Sequence, residues 1–427
     1  MQYSRIDEAI NIMRENDRGG FTIPTPRLYP FQWNWDSAFA ALGFATFDRG
    51  RAWQELEMLF EGQWDDGMVP HIIFRRDDPD YFPGPSVWQT DSNPPSSGHS
   101  QPPVVASIMR LLVEDGSQFD RQKAEDLFDR AFAFHRWWHD ARDPDQTGLV
   151  AIVHPWESGR DNCPDWDIGM ENIDVDPDLE SYQRRDTSHI DASERPTSKQ
   201  YDRFLTIVKF GRDCGWDPLH IYRHGPFLAG DPGIQFILLR ADRDLLQLAT
   251  MFGKHEEAAV LQQWIDRSLK GCELLWNEDC GGFCSKDLKT NTFTQSLTSA
   301  STLCFWANAG SGVQRGEVAR QMRDMLDQVR FAMPSWDPRE QRFEAKRYWR
   351  GPVWAVINFM IASGLSQNNI LDLAGRVRAD TLELVETGGF FEYFNPETGA
   401  GLGGGNFTWT AAIYLTWAQG LEGSRAA

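Results

Sequence analysis

Lysine is almost missing from this chain, with eight residues against 34 arginines in a sequence of 427 whose 62 Asp and Glu leave a formal net charge of −20. That balance argues against a nucleic-acid backbone or an anionic membrane surface as partner. A solvated acidic shell suited to a salty cytoplasm is the plain reading. Cysteine is sparse and unorganised: residues 163, 214, 272, 280, 284 and 304 form no CxxC pair and have no histidine at metal spacing. In a chain this long, that pattern fits reduced thiols better than a disulfide framework or a zinc site. Long apolar runs are missing as well, which excludes a membrane-spanning helix of some eighteen residues or more. The opening MQYSRIDEAINIM reads as a polar helix and lacks the charged-then-apolar pattern of a signal peptide. No exact repeat marks a solenoid. GxSxG does not occur and no Ser or Cys stands in a nucleophile's context. The glycine cluster 399–405 has no GxxxxGK[ST] lysine, so it reads as a close-approach loop ahead of a last helix and not as a phosphate cradle. A cytoplasmic globular protein is expected, with no cofactor, no metal and an oligomeric state left open.

Aromatics are what the chain has in excess: 18 Trp, 27 Phe and 9 Tyr make up 13% of it. Many of the tryptophans stand beside Asp, Glu, Gly and Pro in irregular segments and not on apolar helix faces. Sugars offer C–H faces that stack on rings and hydroxyls that need carboxylates and amides, so an aromatic and acidic pocket suits a carbohydrate. Between these segments, apolar residues recur at three- and four-residue intervals over 36–48, 103–114, 121–140, 200–213, 241–277, 292–309, 314–332, 352–363 and 367–386, which predicts helices. Strand alternation is thin, with LVAIVHP and GGFCSKDL the short candidates. Helix and loop alternate with no break in composition. The expected fold class is therefore all-α, a helical toroid more than a bundle or a parallel α/β sheet, forming a single domain over 1–427. Two irregular stretches, about 75–102 and 164–199, are long enough to be lids.

Five segments put polar and aromatic residues side by side. In YPFQWNWDSAF (29–39), Trp33, Trp35 and Asp36 precede a helix, where Asp36 serves either as an N-cap or as a pocket carboxylate. In GQWDDGMVPHIIF (62–74), Asp65 and Asp66 before Gly67 form a turn, and His71 in an apolar run reads first as a structural histidine. SSGHSQPP (96–103) brings Gln101 as a neutral donor and acceptor. HPWESGRDNCPDWD (154–167) holds acids at 157, 161, 165 and 167 with two tryptophans. Clustered oxygens suit a hard cation, but the spacing is not that of an EF-hand. A carboxyl against aromatic rings loses solvation and can hold its proton near neutrality, as a general acid must. The fifth segment has two halves, RYWRGPVWAVINF (347–359) and GGFFEYFNPETGAGLGGGNFTWTAAIYL (388–415), with Glu392 among aromatics and Glu397 in a turn. Asp161 and Glu392 together suggest the two-carboxylate chemistry of glycoside hydrolysis.

YPFQWNWDSAF, WDDGMVPHI, SQPP, HPWESGRDN, RPTSKQYDRF, YWRGPVW and EYFNPETG…FTWTAA occur in an order that resembles glycoside hydrolase family 63 over roughly residues 29–415. The pattern is similar to that of its short bacterial mannosylglycerate and glucosylglycerate hydrolases. The resemblance implies an (α/α)6 barrel and an inverting mechanism without a catalytic metal. It makes Asp161 the general acid and Glu392 the general base. It also implies sugar binding by Trp33, Trp35, Asp36, Gln101, Trp156, Tyr348, Trp349, Gly351 and Trp354, with Tyr29, His71 and Arg203 toward the small aglycone. Three departures touch the aglycone: Lys209 where a tyrosine is usual, Asn406 for a glutamine, and Cys163 for a small residue. They point to a rebuilt pocket, so glucosylglycerol, glucosylglycerate and mannosylglycerate all remain candidate substrates. The competing readings are a hydrolase of trehalose or an oligosaccharide, a non-catalytic sugar-binding protein, and a terpene cyclase suggested by QWDDG. The last needs an apolar cavity that these Asn-, Gln- and Asp-rich segments do not offer.

Overall fold

The computed structural model describes residues 4–419 apart from Asp115. Among these residues, six helix pairs alternate between two environments. One set carries an apolar stripe and a polar face: Arg5–Asn16, Arg49–Glu61, Gln118–Ala141, His255–Glu273, Gly312–Leu326 and Leu371–Gly388. The other set is Asn34–Phe44, Val105–Glu114, Pro232–Phe252, the two turns Ser299–Thr302 and Cys304–Ala307, Ala355–Gln367, and Thr408–Ile413 with its continuation Tyr414–Ala418. Every residue of Asn34–Phe44 and of Thr408–Ile413 is buried, as a helix surrounded by others must be. Each helix of this second set packs on the next, and Thr408–Ile413 returns to Asn34–Phe44, so the inner set closes into a ring. Each amphipathic helix lies against one or more of the inner ones from outside. The toroid expected from the helix–loop alternation is therefore present as an inner and an outer ring.

Local sequence explains the helix boundaries. Ser4 with Asp7, Thr197 with Gln200 and Ser311 with Gln314 form capping boxes that satisfy otherwise unpaired amide groups. Small residues sit where inner helices cross. A Cβ on Gly43 would lie 2.6 Å from the Ala412 Cβ, and one on Gly364 would lie 2.2 Å from the Trp306 amide nitrogen.

Several expected boundaries are corrected. The helix expected over 241–277 is two, Pro232–Phe252 and His255–Glu273, because Gly253 takes a left-handed φ of 71° and stops the first. The stretch 292–309 begins as a strand, Thr292–Phe293, pairing with Lys286–Asp287, and becomes helical only in two short turns. The helix Arg49–Glu61, absent from the expected set, is capped by Asp48 and buries Trp53, Leu56, Leu59 and Phe60. Short strands form where LVAIVHP and GGFCSKDL suggested them, at Ala151–Ile152, Gly282–Phe283 and Lys286–Asp287. The glycine cluster is not a loop: Gly401–Gly405 is a strand, irregular in register, paired with Phe391–Phe394.

Segments that precede several of the inner helices meet at one end of the ring. Residues 29–36, 101, 348 and 392–409 lie in the segments that lead into inner N-termini, and His71 joins them from the connection after Arg49–Glu61. The long excursion between Gln118–Ala141 and Pro232–Phe252, which contains the helix Ser198–Asp213, folds over that end.

Candidate active site

A cleft of about 870 Å³, its open mouth included, occupies this end of the ring. Its floor and walls carry Asp36, Asp161 and Glu392 among Trp33, Trp35, Trp156, Tyr348 and Trp409.

Asp161 reaches the cleft through a tight chain reversal. The turn Pro155–Ser158 ends at Gly159, whose φ of 68° is left-handed, and a Cβ there would come within 2.7 Å of the Trp35 ring. The next side chain, Arg160, points backward into a buried network, 2.7 Å from Asp165 and 2.5 Å from Asp231. Asn162 accepts a hydrogen bond from the Trp349 amide at 3.0 Å. With both neighbours anchored, Asp161 projects between them. Burial pushes its carboxyl up to about 8; Arg195 pulls it down and Glu392 pushes it further up. The group is therefore a protonated acid at neutral pH.

Glu392 sits on the strand Phe391–Phe394, whose neighbours tie it to the last inner helix: Trp409 Nε1 donates to the Glu392 carbonyl at 3.1 Å and Thr410 to the Phe391 carbonyl at 2.6 Å. The carboxylate accepts from the Tyr29 hydroxyl at 3.0 Å, from Arg195 at 3.2 Å and from the Gly404 amide at 3.2 Å. The glycine cluster exists for this contact. Gly403 has φ 69°, and a Cβ there would stand 2.4 Å from Glu392 Oε2. Burial raises Glu392, while Arg195, the Gly404 amide and Tyr29 pull it back. Asp36 is the third carboxyl. It lies in the first turn of Asn34–Phe44, whose N-cap is Trp33, so the capping reading of Asp36 is corrected. Burial, then Glu392 and Asp161, raise its proton affinity well above the ordinary carboxylate range.

Ten of the fourteen residues singled out in the sequence line this cleft: Tyr29, Trp33, Trp35, Asp36, His71, Gln101, Trp156, Asp161, Tyr348 and Glu392. Four do not. Trp349 and Trp354 form the layer behind, stacked on each other with ring centres 3.7 Å apart, Trp349 lying 6.2 Å from Trp35 and Trp354 lying 4.6 Å from Tyr393. Gly351 packs against the Glu344 carbonyl, 2.5 Å from where its Cβ would be. Arg203 faces a separate cavity on the other side of Asp161 and donates to the Ile173 and Glu171 carbonyls at 3.2 and 3.1 Å. Tyr29, expected toward the aglycone, lines the cleft and donates a hydrogen bond to Glu392 at 3.0 Å. His71 is both structural and lining: its Nδ1 is 2.8 Å from the Ser97 hydroxyl, and burial keeps the ring neutral.

The four acids of 154–167 do not act as a group. Glu157 pairs with Arg142 at 2.6 Å, Asp165 with Arg160, and Asp167 with Arg350 at 2.9 Å, which leaves Asp161 alone in the cleft. Among the described residues no cluster of three or more candidate ligands could hold a metal. The three departures also fall away from the cleft lining. Lys209 pairs with Asp176 and Asp213 at 3.0 Å each, Asn406 is exposed, and the Cys163 thiol lies within 3.1 Å of Arg160.

The sequence reading missed Arg195, Arg185, Asp186, Tyr81 and Tyr201, all of which line the cleft. Arg195 heads the segment RPTSKQYDRF, where the following proline holds it extended. Its partners Tyr29 and Glu392 lie 166 and 197 residues away, so no local pattern marks its place in the cleft.

Two buried carboxyls, of which only Glu392 is engaged by a cation, in a cleft walled by aromatic rings at the mouth of a double helical ring, define a glycoside hydrolase. The family described as the mannosylglycerate hydrolase MGH1-like glycoside hydrolase domain matches residues 29–410. The chain is 44% identical to a mannosylglycerate hydrolase of Thermus thermophilus over 96% of its own length and all of that protein. It is 43% identical to mannosylglycerate hydrolase MGH1 of Selaginella moellendorffii, over 98% of this chain and 86% of the relative. A crystal structure of the GH63 mannosylglycerate hydrolase from Thermus thermophilus in complex with Tris and D-glycerate is similar, with a TM-score of 0.93 and 43% identity over 97% of this chain and all of that one. The chain belongs to this family of glycoside hydrolases.

Proposed function

We propose that the protein hydrolyses the α-glycosidic bond of a hexosyl-glycerate, mannosylglycerate before glucosylglycerate, with inversion at the anomeric carbon. The observation that carries this is Asp161: a buried carboxyl that keeps its proton at neutral pH, facing the same cleft as a Glu392 engaged by a cation. Asp161 protonates the glycosidic oxygen while Glu392 takes a proton from water on the opposite sugar face. Asp36 and the Trp33, Trp35 and Trp156 rings hold the sugar, with Gln101 and Tyr348 as polar partners. Trp349, Gly351 and Trp354 support that wall from behind, Trp349 through its contact with Trp35.

A charged aglycone is favoured by the cations at the cleft. In a chain of net charge −20, Arg185 and Arg195 line it together, and Arg184 precedes Arg185 in sequence. Arg195 is taken up by Glu392 and Asp186, while Arg185, paired at 2.9 Å with Asp78, is the cation within reach of a carboxylate bound in the cleft. The position of Lys209, Asn406 and Cys163 off the lining removes the ground for a rebuilt pocket, and with it the case for glucosylglycerol as an equal candidate. Segments 75–102 and 164–199 act as lids of one catalytic domain, 1–427: Tyr81, Phe82 and Pro83 come from the first, and Arg185, Asp186, Arg195 and Pro196 from the second. The six cysteines are free, which suits a reducing cytoplasm.

Proton NMR of the enzyme with mannosylglycerate, glucosylglycerate, glucosylglycerol and trehalose in separate tubes tests the reading. Cleavage of mannosylglycerate with β-mannose appearing first is the expected result. Preferential cleavage of glucosylglycerol or trehalose, or α-hexose as the first product, overturns it.

A further inference from the structure

Four carboxyls line this cleft, and Arg195 hydrogen-bonds two of them, Glu392 and Asp186, but neither Asp161 nor Asp36. We propose that Arg195 is the positioning residue that divides the work between the two catalytic carboxyls, holding Glu392 as the aimed carboxylate base and leaving Asp161 to carry the proton. The proposal rests on the reading of these two groups as base and acid.

Of the two catalytic carboxyls, the guanidinium hydrogen-bonds Glu392 alone. Arg195 Nη1 lies 3.2 Å from Glu392 Oε2 and 3.5 Å from Oε1. Its Nη2 donates to the Tyr29 hydroxyl at 2.5 Å, and Tyr29 in turn donates to Glu392 Oε1 at 3.0 Å. One guanidinium thus reaches the carboxylate twice, directly and through a polarised hydroxyl. Nothing about the side chain is free to wander. It is 4% exposed, it lies 4.0 Å from the Tyr348 ring centre, and its Nε donates to Asp186 at 3.2 Å. Asp186 is itself gripped by Arg184 at 2.9 Å. Arg347 donates to the Arg195 carbonyl at 3.0 Å, tying the lid backbone to YWRGPVW.

The groups facing Glu392 are otherwise acidic or neutral. Asp36 and Asp161 share the cleft, Asp186 stands behind Arg195, Glu194 accepts from the Gly403 amide at 3.0 Å, and Tyr29, Tyr348 and Tyr393 are phenols. Without Arg195, Glu392 would lose its hydrogen-bonded cation and Asp161 one that makes no hydrogen bond to it, so the larger change falls on Glu392, in a buried site where like charges cannot all ionise. Asp186 modulates the arrangement by drawing part of the guanidinium's field away from Glu392.

The test reads the carboxyl itself. Enzyme labelled with 13C at the glutamate carboxyl is titrated by NMR, with Glu392 assigned as the resonance missing from Glu392→Gln. Arg195→Gln is expected to raise the Glu392 midpoint by about one pH unit or more, the size of one close ion pair. Arg195→Lys should restore most of that shift, and Asp186→Asn should move the midpoint the other way. The acid limb of kcat/KM follows each midpoint on whichever glycoside the enzyme cleaves. Arg195→Gln and Asp186→Asn leaving the midpoint within about 0.3 unit of the parent, or moving it in the same direction, overturns the proposal. Should Arg195→Gln not fold, the direction of the Asp186→Asn shift alone decides. Because the titration needs no substrate, it stands apart from the substrate reading: an enzyme that cleaves none of the four glycosides refutes that reading and leaves Arg195 to be judged by the midpoints.

Discussion

Asp161→Asn is expected to disable the enzyme and stabilise the fold, with a stabilisation that grows with pH. In the unfolded chain the carboxyl titrates near 3.8, whereas in the cleft burial holds its proton up to about 8. Between those values the folded protein binds a proton that the unfolded chain has released, so stability falls as pH rises through that window. Three pH units separate 3.8 from neutrality, each worth about 1.4 kcal/mol, so the penalty at pH 7 is of the order of 4 kcal/mol. Asparagine keeps the shape and carries no proton to lose. For a chain of 427 residues, one kcal/mol moves Tm by about 1 °C, so Asp161→Asn should melt about 4 °C above the parent at pH 7 and within about 1 °C of it near pH 4.5. Thermal scans of both proteins from pH 4.5 to 8 measure this. In the same samples, turnover of the natural glycoside should fall roughly 10²–10⁴-fold, the usual contribution of a general acid, with a smaller loss on an aryl glycoside whose leaving group needs no proton. A Tm difference that stays constant across the range, or a variant less stable than the parent at pH 7, refutes the buried-acid account.

Other perturbations separate the parts of the site. Arg160→Met strands Asp165 and Asp231 as unpaired buried carboxylates, so a loss of roughly 3–5 kcal/mol is expected, seen as a lower urea midpoint; an unchanged midpoint would show that the pair contributes nothing. Gly403→Ala forces a methyl group onto Glu392 Oε2 from a left-handed backbone, so kcat should fall roughly tenfold or more with the circular dichroism spectrum unchanged. Arg185→Met should raise KM for a glycosylglycerate by roughly tenfold and leave KM for the uncharged glucosylglycerol as it was; equal changes for both would remove Arg185 from aglycone recognition. In the parent enzyme, kcat/KM should decline above about pH 8 as Asp161 loses its proton, and an alkaline limb that survives in Asp161→Asn would assign it to another group.

Much of this protein is written in short-range pattern. The three- and four-residue apolar spacing marks most of the ring helices, because a helix buries its stripe wherever its neighbours stand. Asp161 and Glu392 stand out for the same local reason: each lies among aromatic residues in a segment that cannot be a plain helix, and their proximity to rings foretells lost solvation. Other features took form only when the chain closed on itself. Four acids within 154–167 are equivalent in sequence, and Asp161 differs from its neighbours only because Arg142, Arg160 and Arg350 claim the other three. Trp349 and Trp354 look like sugar platforms in YWRGPVW, yet ring closure puts Trp35 in front of Trp349 and turns the pair into backing. Arg203 faces away from the main cleft, while Arg195, unremarkable in its own segment, lands on Glu392. Charge pairing in a buried cleft depends on distances between residues far apart in the chain, and these are set by how six helix pairs and two long excursions meet at one end of the ring.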